Sequence, residues 1–204
     1  EMGRSYSFSV AEDVYLHPFR VAMRGLFYQR SGQSLDESNS AYRRVASHLD
    51  PVEIPYMDDR PIRGGHYDAG DYNPRGHYEV VHLLMLLYEM FPQKFADAQL
   101  DIPERGNGVP DVLDEAMWGL QAILALQDDD GGVGYDAEAG HFIESKADPN
   151  FVEVAERDPW KQESYAKHPK GSLILAALSA AASRLWAGLG HMRHASQFLD
   201  AATR

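Results

Sequence analysis

The residues Gly64-Gly65-His66-Tyr67-Asp68-Ala69-Gly70-Asp71-Tyr72 place two carboxylates three positions apart in a glycine-rich, aromatic-flanked stretch. Two acidic groups forced together in a partly closed loop cannot both ionise freely, because each charge raises the pKa of the other. Pairs of this kind activate water and hydrolyse glycosidic bonds. Gly64, Gly65 and Gly70 remove side chains where a backbone would have to approach a bulky sugar closely. A plainer reading competes. Asn73-Pro74 follow, proline is favoured in the first turn of a helix, and Asp71 just ahead of it would serve as an N-cap. Residue types alone do not separate the two.

The elements around this stretch are mostly helical. Tyr6, Phe8 and Val10 alternate with Ser5, Ser7 and Ser9 in a strand-like period that gives way to a helical one near Asp13. Phe19, Ala22, Met23, Leu26 and Phe27 then fall on one face, and Gly32 closes the run as a C-terminal cap. Residues 34–63 carry three prolines and no sustained period, a long loop of the sort that is often functional. A second helix is expected from Asn73-Pro74, mostly buried and stopped by Pro92. A third starts near Pro110, with Asp111, Asp114 and Glu115 complementing the helix dipole in its first turns. After an irregular stretch over 128–170, a fourth helix from Ser172 to Trp186 is apolar nearly all round and reads as a central, buried one. A fifth begins near His191 or Met192. Five helices with loops of this length do not make a four-helix bundle. They fit part of a larger helical barrel whose loops gather into a site at one end.

Composition narrows the function further. At 204 residues the chain can bury a full core, and one domain is the default. A net charge of −12 argues against nucleic acid or an anionic membrane as partner and suits a neutral or cationic ligand. There is no cysteine, which excludes disulfides, a thiolate nucleophile and any Cys-containing zinc site. The longest apolar run, Leu173 to Ala182, is too short to span a bilayer. The chain opens on Glu1-Met2 as if cut from something longer, and no signal peptide is visible.

Four segments, in order, resemble glycoside hydrolase family nine, the endoglucanase and cellodextrinase family. Gly64 to Tyr72 resembles its Gly-Gly-(Trp/Tyr)-x-Asp-Ala-Gly-Asp motif. Phe27-Tyr28-Gln29-Arg30-Ser31-Gly32 resembles the end of its first catalytic helix. Gly106-Asn107-Gly108-Val109-Pro110-Asp111-Val112-Leu113-Asp114-Glu115-Ala116 resembles its Asn-Gly-(Ile/Val)-Pro-Asp-(Ile/Leu)-Leu-Asp-Glu segment. Trp160 and the alanine-rich helix after it resemble a Trp-bearing loop and the following helix. The resemblance implies an all-α (α/α)6 barrel, of which the first half or slightly more is present. It makes residues 1–10 the end of a linker from a possible upstream β-sandwich, and 11–204 the N-terminal portion of the catalytic domain. It implies inversion at the anomeric carbon, with Asp71 as general base and Asp68 helping to hold the water. The family's general acid is a glutamate far downstream, beyond residue 204. The substrate implied is an oligo- or polysaccharide, the compartment secreted or periplasmic, and no organic cofactor is needed, although calcium sites occur in the family.

Two departures bear on substrate. His66 stands where many members have tryptophan or another aromatic, and Asn73-Pro74-Arg75 replaces the common Val-Lys-Phe. Short or amino-bearing glucans are therefore as plausible as long cellulose chains. His66 either contacts substrate or hydrogen-bonds within the loop. Tyr67 and Tyr72 either stack on sugar faces or pack, Tyr72 being favoured as a site neighbour, and Trp160 is the best sugar platform in the later loop. Trp118 and Trp186 read as core. The run Asp128-Asp129-Asp130-Gly131-Gly132 hints at calcium, but no glutamate falls at the twelfth position of an EF-hand counted from Asp128. None of the nine histidines forms a His-x-x-x-His zinc pair. Two rivals remain: another (α/α)6 enzyme, a polysaccharide lyase or epimerase using histidine or tyrosine as base, and a non-catalytic carbohydrate-binding fragment. A partial barrel would also expose apolar helix faces. Oligomerisation or poor solubility is expected unless further sequence or another chain completes it.

Overall fold

A computed structural model describes residues 6–38, 40–46, 49–67, 74–75, 78–134, 137–139 and 162–204. Among them are helices α1 (Leu16–Tyr28), α2 (Tyr78–Met90), α3 (Asp111–Ala125), α4 (Pro169–Gly188) and α5 (Met192–Thr203). Short strands pair between them, all antiparallel: β1 (Pro51–Val52) with β2 (Arg60–Pro61), β3 (His66–Tyr67) with β4 (Pro74–Arg75), and β5 (Ala137–Ala139) with β6 (Gln162–Ser164). Tyr6, Phe8 and Val10 join no strand among the described residues and lie exposed.

The most buried helix is α3, not α4. Asp111 through Ala116, Gly119, Leu120 and Ile123 of α3 are all buried. Helix α2 packs on it so closely that a Cβ at Gly119 would come within 2.6 Å of Val81 Cγ2. Helix α4 buries only one face, through Leu175, Leu178, Ala182 and Trp186, and leaves Leu173 exposed. Its alanine-rich composition hides a one-sided helix, because alanine is apolar enough to look buried and small enough to face water. By length and hydropathy this helix alone among the described residues would pass for a membrane span. Its buried face packs against α5, where Trp186 meets Phe198 edge-on at 5.4 Å and Ser183 Oγ donates to the Ala195 carbonyl at 2.8 Å.

The second helix also departs from expectation. It begins at Tyr78, because Pro74 and Arg75 are spent on a ladder with Tyr67 and His66. Asp71, read from the sequence as a candidate N-cap, lies outside the described residues. Helix α2 is not mostly buried: Tyr78, Val81, Leu84 and Met85 face inward while Leu83, Leu86 and Met90 face out.

Candidate functional site

The pairing of Tyr67 with Pro74 holds both ends of the segment 68–73 in one hairpin. Asp68, Asp71 and Tyr72, and also Trp160, lie outside the described residues; His66 and Tyr67 lie within them. The described residues on either side of the acidic pair form a frame around it.

That frame begins with backbone. Just past the end of α1, Arg30 bridges to His66, and Tyr67 donates its N–H to the Gln29 carbonyl at 2.7 Å. On the other side Gly65 N–H donates to the Trp118 carbonyl at 2.8 Å, and Trp118 Nε1 donates back to the Gly65 carbonyl at 3.1 Å. Glycine is required for this contact. At Gly64, with φ +93°, a Cβ would sit 2.3 Å from the Trp118 carbonyl oxygen. Trp118, read from the sequence as core, is only half-buried, and its indole is a tie to the motif strand.

Side chains then grip the strand from both faces. Successive residues of a strand point to opposite sides. His66, 1% exposed, sets Nε2 2.7 Å from Glu115 Oε1 on α3. Glu115 is fully buried and accepts Arg30 Nε at 3.0 and 3.2 Å and Nη2 at 3.0 Å. The remaining arm of Arg30, Nη1, donates to both oxygens of Glu104 at 2.9 and 3.0 Å. The guanidinium lies 4.5 Å from the Trp118 ring centroid and 5.1 Å from that of Phe27. Tyr67, also buried, has the Arg44 guanidinium 5.1 Å from its ring centroid. Arg44 is in turn fixed by the carbonyls of Tyr28 and Arg30 at 2.7 and 2.9 Å.

The electrostatics of the network follow from its contacts. Burial pushes the Glu115 carboxyl up, but His66 and Arg30 together hold it below the usual carboxylate range. An ionised carboxylate only accepts, so His66 Nε2 carries the proton of their shared bond. His66 Nδ1 is buried with no hydrogen-bond partner among the described residues. Burial would lower Arg30, yet Glu115 and Glu104 raise it above its ordinary value.

The acidic first turn of α3 is thus more than dipole complement. Asp111 Oδ1 accepts the Ala98 N–H at 3.0 Å and its Oδ2 accepts that of Leu100. Asp114 Oδ1 accepts Asn107 Nδ2 at 2.9 Å while its buried Oδ2 has no partner among the described residues. Burial, seconded by the charges of Glu104 and Asp111, pushes Asp114 up to about 7. Asp114 and Glu104 line a cleft of about 640 Å³, walled also by Trp118, Gln121, Trp186 and His194. Sequence reasoning missed Arg30, Glu104 and Glu115 as a unit. The available signal was one arginine and one glutamate, each set in an apolar helical pattern.

At the Asp128 loop, Lys167 Nζ bonds Asp128 and sits 2.7 Å from Asp130 Oδ2. Among the described residues no group of three or more His, Asp or Glu side chains is placed to hold a metal. Calcium takes six to eight oxygens, and here one carboxylate oxygen each of Asp128 and Asp130 is already engaged by Lys167.

Residues 15–204 match the family model described as glycosyl hydrolase family 9. A xyloglucan-specific endo-β-1,4-glucanase of Bacteroides ovatus is 31% identical over 202 residues, spanning 91% of this chain and 33% of the relative. Endoglucanase D of Acetivibrio thermocellus is 31% identical over 141 residues, spanning 64% of this chain and 22% of the relative. The crystal structure of a metagenome-derived glycoside hydrolase family 9 endoglucanase superposes with a TM-score of 0.79 at 31% identity, over 93% of this chain and 35% of that one. The chain thus spans about a third or less of the length of these relatives, and its helices are part of an (α/α)6 barrel.

Proposed function

The chain belongs to glycosyl hydrolase family 9, and on that premise we propose that the protein is an inverting glycoside hydrolase acting on β-1,4-linked glucose or glucosamine chains. Asp71 is the general base that takes a proton from water, and Asp68 helps hold that water. Tyr72 and Trp160 supply aromatic surface for the sugar. Inversion needs a second, protonated carboxyl roughly 6.5–9.5 Å away to protonate the leaving oxygen, and that acid is a glutamate in residues that follow Arg204. The rest of the barrel comes from the same source or from another chain.

The observation that carries this reading is the antiparallel pairing of His66 and Tyr67 with Arg75 and Pro74 on either side of the acidic segment. Pro74 and Arg75 are strand and not the first turn of a helix. What remains is an acidic pair in a segment whose two ends are tied together and backed by a buried charge network. That much support behind a short segment suits a site whose geometry must be held closely.

The test is cleavage of cello-oligosaccharides and chito-oligosaccharides, read as new reducing ends, by a form that includes the residues after Arg204. General-base catalysis contributes about 10²–10⁴-fold, so Asp71→Asn should lose at least about a hundredfold in kcat and still bind substrate. Cleavage that survives the change refutes the assignment of Asp71. Binding without cleavage in both forms supports a non-catalytic carbohydrate-binding protein instead. Residues 1–204 alone should not cleave, for want of a proton donor.

A further inference from the structure

We propose that His66 is a positioning residue for this reaction: its Nε2–H bond to the Arg30-clamped Glu115 fixes the strand that feeds the acidic segment. The proposal rests on the reading of Asp71 given above and goes beyond it, because it assigns a task to a side chain that need not meet the sugar.

Three observations converge on it. His66 is 1% exposed, and its ring lies between β3 and the Gly119 face of α3. Its bond to Glu115, at 2.7 Å, is the shortest in the network and is made to a charged acceptor, the stronger kind. Glu115 cannot swing with the histidine, because three contacts from Arg30 pin both its oxygens, and Arg30 is itself held by Glu104. The rigid side of the bond is therefore α3, and the side it fixes is β3. His66 precedes Asp68 by two residues. An aromatic ring at this position would fill the same space, but it could not fix the roll of the strand by a directed bond.

Two substitutions test this in a form that includes the residues after Arg204. His66→Phe keeps a ring and removes the donor; His66→Gln keeps an amide N–H near the position of Nε2. A displacement near 1 Å costs on the order of a hundredfold in rate. His66→Phe is therefore expected to lower kcat about 10- to 100-fold with KM changed less than about threefold, and His66→Gln to recover kcat to within about threefold of wild type. Folded fraction is measured in parallel, and rates are expressed per folded molecule. The proposal is overturned if His66→Phe keeps wild-type kcat per folded molecule, if its loss lies in KM alone (a substrate contact), or if His66→Gln is no better than His66→Phe. Should wild type not cleave, or Asp71→Asn cleave as wild type does, it is the proposed function that has failed. The effect of both substitutions on the amide exchange of Tyr67, which donates to Gln29, then still reads the clamp: faster exchange in His66→Phe but not in His66→Gln supports it, and equal exchange in both overturns it.

Discussion

Replacing Glu115 by glutamine isolates the charge of the buried network from its volume. The side chain is fully buried and receives three donor contacts from Arg30 and one from His66. The amide has one oxygen to accept with and turns an NH₂ toward a guanidinium that can only donate. Removing one partner of a buried ion pair costs about 3–5 kcal/mol, because the other charge stays buried without compensation. Here Arg30 keeps Glu104 at 2.9 and 3.0 Å, and Glu104 is partly open to solvent, so the lower end applies, about 3 kcal/mol. With a urea m-value near 2 kcal/mol/M for a chain of this size, the midpoint should fall by about 1.5 M. The measurement is equilibrium urea unfolding at one protein concentration, followed by tryptophan fluorescence, to which Trp118 against Arg30 contributes a local probe. The sign of the pH dependence is fixed too. Glu115 is held below its usual range in the fold, so its contribution is complete at neutral pH and is lost as pH falls through its folded-state pKa. Wild type and variant should therefore converge only in strong acid. A loss under about 1 kcal/mol at neutral pH, or curves that stay parallel into acid, would refute the claim that this charge is what holds the network.

Two further predictions are independent of that one. Asp114 is raised to about 7 by burial and by its acidic neighbours, so the native state holds a proton that the unfolded state releases near pH 4. Stability should fall by about 1.4 kcal/mol per pH unit between those values and level off above 7; Asp114→Asn should flatten that slope, and thermal melts from pH 4 to 8 would show it. Leu83, Leu86 and Met90 form an exposed stripe on α2, 59%, 36% and 59% accessible. Residues 1–204 should self-associate through it at micromolar concentration, and Leu83→Lys with Met90→Lys should shift sedimentation toward monomer; a monodisperse wild-type monomer would contradict this.

The sequence was most legible where structure is local. Helices α3 and α5 begin within a residue of where Pro110 and His191 place them, because a proline or glycine break and a 3.6-residue period act over one or two turns. Reading failed where a distant segment decides. Pro74 has the credentials of a helix start, yet His66 and Tyr67 claim it for a ladder, and no local propensity records that. Glu115 looked like dipole complement because the arginine that explains it lies 85 residues away. The family-like segments were readable in order, and they span Arg30 and Glu115 as well as His66, which departs from its motif. What the motifs do not say is that these three side chains meet.

Their meeting has a cost that an apolar cluster would not carry. Taking Arg30 and Glu115 out of water loses several kcal/mol per ion, and well-packed hydrophobic residues would stabilise the core as well or better. Stability is therefore a poor reason for the arrangement. Direction is a better one. Apolar contacts tolerate rotation; a carboxylate engaged on both oxygens does not. Helix α3 carries that fixed carboxylate to His66 on one face of β3, while Arg44, tied to the carbonyls of Tyr28 and Arg30, meets Tyr67 on the other. A two-residue strand has little ladder of its own to resist twisting about its axis. Charged contacts on both faces supply that resistance at the point where the chain enters the acidic segment, which is where the proposed function would feel an error in direction most.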